Sequence, residues 1–235
     1  MANLVNYPAE VVSAADEASG VKTIKMKVPE DFSFIAGQFL MMSFEKDGKT
    51  IRRPYSIASP PYLKGFLEIT VKLVEGGDAS TYIHSLKKGD TLEISAPFGK
   101  FNVGEICKEC DVVFISTGTG YTPLRSMMLQ LLHDSFTNKV TVIKGCRYVN
   151  EIIFTKELDG LKKKHKNLFV YNIISRPEKE GYEKGYVQDL IKKHINKDFK
   201  GNIYICGLRD MINSARDLLI EIGIPKEQIH YEGYN

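Results

Sequence analysis

The run VVFISTGTGYTPLRSMMLQLL, residues 112–132, constrains this chain more than any other stretch. Val112, Val113, Phe114 and Ile115 are apolar, mostly β-branched and free of charge, which suits a strand buried on both faces of a parallel sheet. A glycine turn follows at Gly118-Thr119-Gly120. Pro123 then stands where a first helical residue belongs, its missing N–H costing nothing there, and Leu124, Met127, Met128, Leu131 and Leu132 recur at helical spacing. A strand that feeds a glycine loop that feeds a helix lets backbone amides and the positive helix end approach a phosphate with no Cβ in the way. A tight corner with no ligand is the competing reading. The spacing is neither the six-position dinucleotide fingerprint nor a P-loop, which would end in Lys followed by Ser or Thr.

With 235 residues the chain is long enough for one large domain or two modest ones, and 43% hydrophobic with 26% charged content supplies an ordinary globular core. A net charge of +3 is too small to argue for nucleic acid. The lysines at 162–164 and at Lys192 and Lys193 fall in expected helices and read as solvated faces. No apolar stretch is long enough to span a bilayer and the first residues lack a signal-peptide layout, so a cytoplasmic protein is expected. Cys107 and Cys110 form a C-x-x-C, but Cys146 and Cys206 stand singly and far away. A structural metal would want a second close pair, so no metal is expected.

The N-terminal half alternates with period two. Over residues 21–28, Ile24, Met26 and Val28 oppose Lys25 and Lys27; over 66–73, Leu67, Ile69, Val71 and Leu73 face one way; Leu92 and Ile94 repeat the pattern. Further strand-like runs cover 38–44 and 55–58, with turn signals at Gly37, Asp47-Gly48, Pro60-Pro61 and Gly89-Asp90. About six short antiparallel strands with one short helical stretch predict a small closed barrel or sandwich ending near 104–111. Within it, Arg53-Pro54-Tyr55-Ser56 places a guanidinium and a ring on one face of a strand, which suits a ligand with both a phosphate and a flat ring, although a surface strand would read the same. Gly77, Ser80 and Thr81 lie in a second glycine turn that opens a short helix. That turn is another candidate anion site, or simply a helix capped by Asp78 or Ser80.

In the C-terminal half, strands at 140–144, 168–174, 203–206 and 228–231 alternate with helices at 152–164, 187–194 and 211–222. Such alternation means crossovers and a parallel sheet, which with the 112–115 strand has five strands. Open sheets of this kind bind nucleotides at the carboxyl ends of strands where strand order reverses. If the loop at 117–122 and the loop at 206–210 touch one nucleotide, the first and fourth strands must be neighbours.

The succession Gly37-Gln38-Phe39, Arg53-Pro54-Tyr55-Ser56, Gly77-x-x-Ser80, Pro97-Phe98-Gly99 and Gly118-Thr119-Gly120-x-x-Pro123 resembles the ferredoxin-NADP reductase family of flavoproteins, and the resemblance spans nearly the whole chain. It implies an FAD-binding antiparallel β-barrel over 1–104 and an NAD(P)-binding α/β domain over 105–235. It implies that Arg53 pairs with the FAD pyrophosphate, Tyr55 lies against the isoalloxazine, Ser56 hydrogen-bonds near flavin N5, and Gly77 and Ser80 hold the pyrophosphate. Cys206-Gly207 with Met211 resembles the family segment whose thiol sits beside the nicotinamide; a buried, inert cysteine is the alternative. Ser175-Arg176 followed by Lys184, Tyr186 and Gln188 resembles the phosphate- and adenine-binding stretch of NADPH-using members, with Arg147 as a further cation. This favours NADPH, with NADH the alternative, and Glu178 is an acidic residue nearby. Tyr234 matches the family's terminal aromatic that stacks on the flavin and moves aside for nicotinamide, and Glu232 matches a nearby carboxylate.

The expected activity is hydride transfer between NADPH and FAD, with Ser56, Cys206 and Glu232 aligning the reactants and Tyr234 gating access, and electrons passing onward to a separate ferredoxin- or flavodoxin-type protein. A free-standing NAD(P)H-dependent flavin reductase, an electron-inlet subunit of a larger redox complex and a nucleotide-binding sensor without turnover stay open as alternatives.

Overall fold

The computed structural model describes residues 5–104, 110–177 and 181–234, so Cys107, Glu178 and Asn235 lie outside the described residues. The chain divides into two compact units, Met1–Val103 with Arg125–Gln130, and Gly104–Leu124 with Leu131–Asn235.

In the first unit, strands β1 (Val5–Ala18), β2 (Val21–Lys27), β3 (Phe39–Lys46), β4 (Lys49–Ser56), β5 (Phe66–Lys72) and β6 (Thr91–Phe98) form one antiparallel sheet in the order β4-β3-β6-β1-β2-β5, with helix α1 (Asp78–Ser85) between β5 and β6. The period-two pattern fixes its faces: Ile24, Met26, Leu40, Met42, Leu67, Ile69, Leu92 and Ile94 all point into one buried core. Beyond β4 the Ala58 N–H donates to the Glu68 carbonyl on β5 at 2.7 Å, so the two edges of the sheet curl together into a barrel. Arg125, which clusters with this unit, donates to the Ala58 carbonyl at 2.8 Å and to the Glu68 carboxylate at 2.9 Å, and Ser126 donates to the Ser59 carbonyl at 2.7 Å.

Two strands differ from expectation. β1 was not expected, because its alanines, acids and Pro8 have weak strand preference. It pairs with β6 over residues 5–10 and with β2 over residues 10–18, so each half is bonded mainly along one side and a proline is tolerated there. β4 starts at Lys49 rather than at Tyr55. It is an edge strand, and the exposed Lys49, Arg52 and Arg53 that blunt the edge disguise its alternation.

In the second unit, β7 (Asp111–Thr117), β8 (Val140–Cys146), β9 (Leu168–Ile174), β10 (Gly201–Leu208) and β11 (Ile229–Tyr234) form a parallel sheet in the order β11-β10-β7-β8-β9. Helices α2 (Tyr121–His133), α3 (Thr155–Lys164), α4 (Val187–His194) and α5 (Arg209–Ile222) are the crossovers. One face of the sheet buries Val113, Ile115, Ile143, Ile203 and Ile205 against Leu190, Ile191, Ile212 and Leu219 of α4 and α5. From β7 the chain builds outward through β8 and β9, then returns to the other side of β7 for β10. The reversal therefore lies between β7 and β10, the two neighbours that the loop argument required.

The turn Gly118–Gly120 runs as one tight 3-10 turn directly into α2, which starts at Tyr121. Pro123 is thus the third helical residue and not the first, still inside the turn whose N–H groups have no intrahelical acceptor. α3 starts at Thr155 rather than at residue 152, because Phe154 takes a left-handed conformation with φ 56°. Among the described residues no helix is long and apolar enough to cross a membrane.

Candidate functional site

Strand β4 presents its four motif residues by alternation. Arg53 pairs with Met42 and Tyr55 with Leu40, so these two side chains share a face, while Ser56 pairs with Phe39 on the opposite face and is buried. The exposed Arg53 donates to the Arg52 carbonyl at 2.8 Å. Tyr55 is half-buried against the barrel core; burial pushes its phenol up, opposed by the Arg53 charge. Pro54 lies between them on the edge strand, where its lack of an N–H leaves no ladder bond unmade.

Helix α1 docks on the same hairpin. Tyr82 stacks on Phe44 of β3 with ring centroids 4.4 Å apart, and Asp78 pairs with Lys46. Gly77 caps the helix, its carbonyl accepting the Thr81 N–H at 3.0 Å. A Cβ on Gly77 would stand 2.8 Å from Ser80 Oγ, which itself accepts the Val74 N–H at 3.0 Å. Ser80 is thereby turned onto the loop before its helix, and the backbone N–H groups of the first turn are what α1 offers an anion. An arginine and a ring on one strand face, with a glycine-capped helix start on the same hairpin, fit a ligand that combines a pyrophosphate and a flat ring system.

At the reversal of strand order, β7 and β10 bring two glycine turns into contact. A Cβ on Gly120 would lie 2.2 Å from the Cys206 carbonyl oxygen, and one on Gly207, whose φ is +148°, would lie 2.5 Å from Thr117 Oγ1 and 2.9 Å from Met211 Cε. Gly118 has φ +52° and open space where its Cβ would stand. Only glycine permits this close packing of the two turns. Around them the buried Ser116 Oγ, Thr117 Oγ1 and Thr122 Oγ1 have no hydrogen-bond partner among the described residues. Buried hydroxyls without partners beside an open turn fit a ligand rich in hydrogen-bonding groups, as a dinucleotide is. These hydroxyls were not singled out from the sequence, although they bracket the glycines there.

Register sets Cys206 beside Glu232 of β11 on one side and Ser116 of β7 on the other, and sets Gly207 beside Gly233 and Leu208 beside Tyr234. The Cys206 thiol is fully buried, and burial pushes its pKa far up, with the Glu232 carboxylate adding to the rise. Hydrogen bonds from Tyr234 and from Gly207 pull the other way. Burial also raises the Glu232 carboxyl. Tyr234 is held in β11, so this terminal aromatic belongs to the sheet.

A third group gathers at the carboxyl ends of β8 and β9. The Ser175 N–H donates to the Cys146 carbonyl and the Arg176 N–H to the Arg147 carbonyl, both at 2.9 Å, while Lys184 bridges Ile174 in parallel fashion. Arg147, Arg176 and Lys184 are all exposed and come from three separate segments that meet through backbone contacts at this end of the sheet. Arg176 also hydrogen-bonds Tyr148, which holds its guanidinium in place and raises its pKa further. Tyr186 is 68% exposed at the start of α4, where its N–H donates to Asp189 Oδ2 at 2.8 Å. Among the described residues no group of His, Cys, Asp or Glu could hold a metal ion.

The family description "Oxidoreductase FAD-binding domain" matches residues 8–103 and "Oxidoreductase NAD-binding domain" matches residues 114–217. The chain is 32% identical over 212 residues to a ferredoxin--NADP reductase B of Sorangium cellulosum, covering 87% of this chain and 86% of that one. It is 31% identical over 235 residues to the reductase component DmpP of phenol 2-monooxygenase from Pseudomonas sp. strain CF600, covering 97% of this chain and 65% of that protein's length. In fold it is similar to the crystal structure of the Amycolatopsis cytochrome P450 reductase GcoB (TM-score 0.91, 23% identity, 99% of this chain and 71% of that one). It is similar also to a ferredoxin NADP+ reductase from Neisseria gonorrhoeae with bound FAD and NADP (TM-score 0.86, 21% identity, 97% of this chain and 98% of that one). With its antiparallel FAD-binding barrel and its parallel NAD(P)-binding sheet, the chain belongs to the ferredoxin-NADP reductase family of oxidoreductases.

Proposed function

We propose that this protein transfers hydride between NADPH and FAD and passes electrons onward to a separate ferredoxin- or flavodoxin-type protein, an activity of the EC 1.18.1 kind. The flavin domain would cover residues 1–104 and the NAD(P) domain residues 105–235. The observation that carries this reading is the group Cys206, Glu232 and Tyr234 at the carboxyl ends of β10 and β11, beside the paired glycine turns. When bound, FAD accepts hydride and releases electrons singly, chemistry that no side chain supplies.

The protein's part is binding, orientation and proton control. Arg53 neutralises the pyrophosphate, helped by the first-turn amides of α1 after Gly77, with Ser80 and Thr81 shaping that turn. Tyr55 lies against the isoalloxazine, and Ser56 hydrogen-bonds near its N5. The turn Gly118, Thr119 and Gly120, leading through Pro123 into α2, receives the dinucleotide. Cys206, with Gly207 and Met211 behind it, forms the floor under the nicotinamide. Burial keeps the Cys206 thiol protonated, so it contacts the nicotinamide as a neutral surface. Glu232, its pKa raised by burial, supplies polarity beside the thiol, and Tyr234 gates access. Arg147, Ser175, Arg176 and Lys184 bind the adenosine 2′-phosphate, with Tyr186 against the adenine. That cluster of three exposed cations is what favours NADPH over NADH.

The name of the Pseudomonas relative supports a second reading, in which the acceptor is an oxygenase component. The first test is anaerobic titration of the FAD-loaded protein with NADPH and, separately, NADH, following flavin absorbance. Bleaching by NADPH in preference to NADH is expected. Equal or reversed preference would remove the 2′-phosphate assignment, and no bleaching by either would remove the oxidoreductase mechanism.

A further inference from the structure

Lys144 is buried to 2% exposure in the middle of the parallel sheet, where an apolar residue is the rule. Its Nζ donates to the Ile153 carbonyl at 2.5 Å and lies 4.6 Å from the centroid of the Tyr121 ring. Tyr121 is the first residue of α2, directly after the Gly118–Gly120 turn, and is itself fully buried. The ammonium therefore packs against the side chain of the residue that opens α2, near the positive end of that helix, where like-charge repulsion disfavours a cation.

The sheet register adds a second observation. Lys144 pairs with Ser116 on β7 and with Asn172 on β9, and Ser116 pairs with Cys206, which pairs with Glu232. A single polar row, Glu232, Cys206, Ser116, Lys144 and Asn172, thus crosses all five strands at one level. Registered residues of a parallel sheet point to the same face, so these five share it. The row one step earlier toward the amino ends is apolar and aromatic, with Phe114, Val142 and Tyr204 in register. Ser116 Oγ and Asn172 Oδ1, on either side of the lysine, are buried without hydrogen-bond partners among the described residues.

We propose that Lys144 is a positioning residue for the nicotinamide dinucleotide: its ammonium, clamped between Ile153 and Tyr121, props the start of α2 and adds its charge to the helix end, strengthening the hold of the glycine turn on the dinucleotide's phosphates. The proposal rests on the assignment of the dinucleotide to this turn. It differs from the 2′-phosphate cluster in what it discriminates. Arg147, Arg176 and Lys184 separate NADPH from NADH, whereas Lys144 acts on the part that both share.

The test is the dissociation constant of NAD+ and of NADP+ on the FAD-loaded protein, measured by calorimetry at several salt concentrations for the native chain, Lys144→Gln and Lys144→Arg. Lys144→Gln keeps a donor for the Ile153 carbonyl and removes the charge. It is expected to raise both constants about tenfold, the size of effect one partly shielded charge exerts, to leave their ratio unchanged and to flatten the salt dependence; Lys144→Arg is expected to restore binding. Unchanged constants in a folded, flavin-replete Lys144→Gln protein overturn the proposal, as does Lys144→Arg behaving like Lys144→Gln. Should Lys144→Gln not fold, the native chain decides: with 15N-labelled lysine and Lys144→Arg used for assignment, the Lys144 Nζ resonance is expected to shift on NADP+ addition, and an unmoved resonance overturns the proposal. A native chain that binds neither nucleotide would instead remove the underlying assignment.

Discussion

At the scale of single residues, the alternation on β4 puts Ser56 on the opposite face from Arg53 and Tyr55. Ser56→Ala is expected to slow flavin reduction by NADPH about tenfold, the equivalent of one lost hydrogen bond, while FAD stays bound. Stopped-flow reduction at the native rate would take Ser56 out of the mechanism. Glu232 makes a pH prediction. Burial holds its carboxyl above the ordinary value of 4.5, so the folded state binds this proton more tightly than the unfolded state does. Its contribution to stability is fully present below the unfolded value and is lost as pH rises through the raised folded one. Over that window the melting temperature of the native chain should fall more steeply than that of Glu232→Gln. Superimposable melting profiles would show that the carboxyl is not linked to folding in this way.

At the scale of elements, the two glycine turns are a tight joint in the parallel sheet. Gly120 and Gly118 stand two residues apart but differ in what constrains them. A Cβ at Gly120 meets the backbone carbonyl of Cys206 at 2.2 Å, which cannot swing aside as a flexible side chain would. Gly120→Ala should therefore destabilise the protein by about 2–3 kcal/mol, an overpacking cost. Gly118→Ala has open space, and its φ of +52° alone should cost about 1 kcal/mol. Urea unfolding of the two variants measures the difference, and equal losses would refute the distinction. The ladder Phe114, Tyr204 and His230, with ring centroids 5.7 Å and 4.8 Å apart, stiffens β7, β10 and β11 below this joint.

At the scale of the whole molecule, each unit has its own core, and each carries one half of the cofactor requirement. A cofactor that binds only the folded state stabilises by mass action, about 2.7 kcal/mol at one hundred times its dissociation constant. Removal of FAD should lower the melting temperature, and added FAD should restore it in a concentration-dependent way. NADP+ should raise it further. Differential scanning fluorimetry of the stripped and reloaded protein checks this, and a melting temperature indifferent to FAD would contradict folded-state binding.

Periodicity and turn chemistry are local, so the sequence by itself determined the elements whose burial is regular. Residues 168–174 and 187–194 are a strand and a helix as read, and the period-two strands of the barrel face as expected except at Leu73, which lies just beyond β5 and is 45% exposed. It also determined the glycine positions, because φ and close approach leave no other residue at Gly120 and Gly207. β1 stayed hidden because its strand character comes from pairing with β6 and β2 rather than from its own side chains. Only the tertiary structure decided that Cys206, Ser116 and Lys144 share one row, that Glu232 lies beside the thiol, that Arg176 bonds to Arg147 through the backbone, and that Lys184 pairs with Ile174. Those neighbours come from strands and loops far apart in the chain. Strand order and register, which arise from packing the whole sheet, bring them together, and no local pattern encodes them.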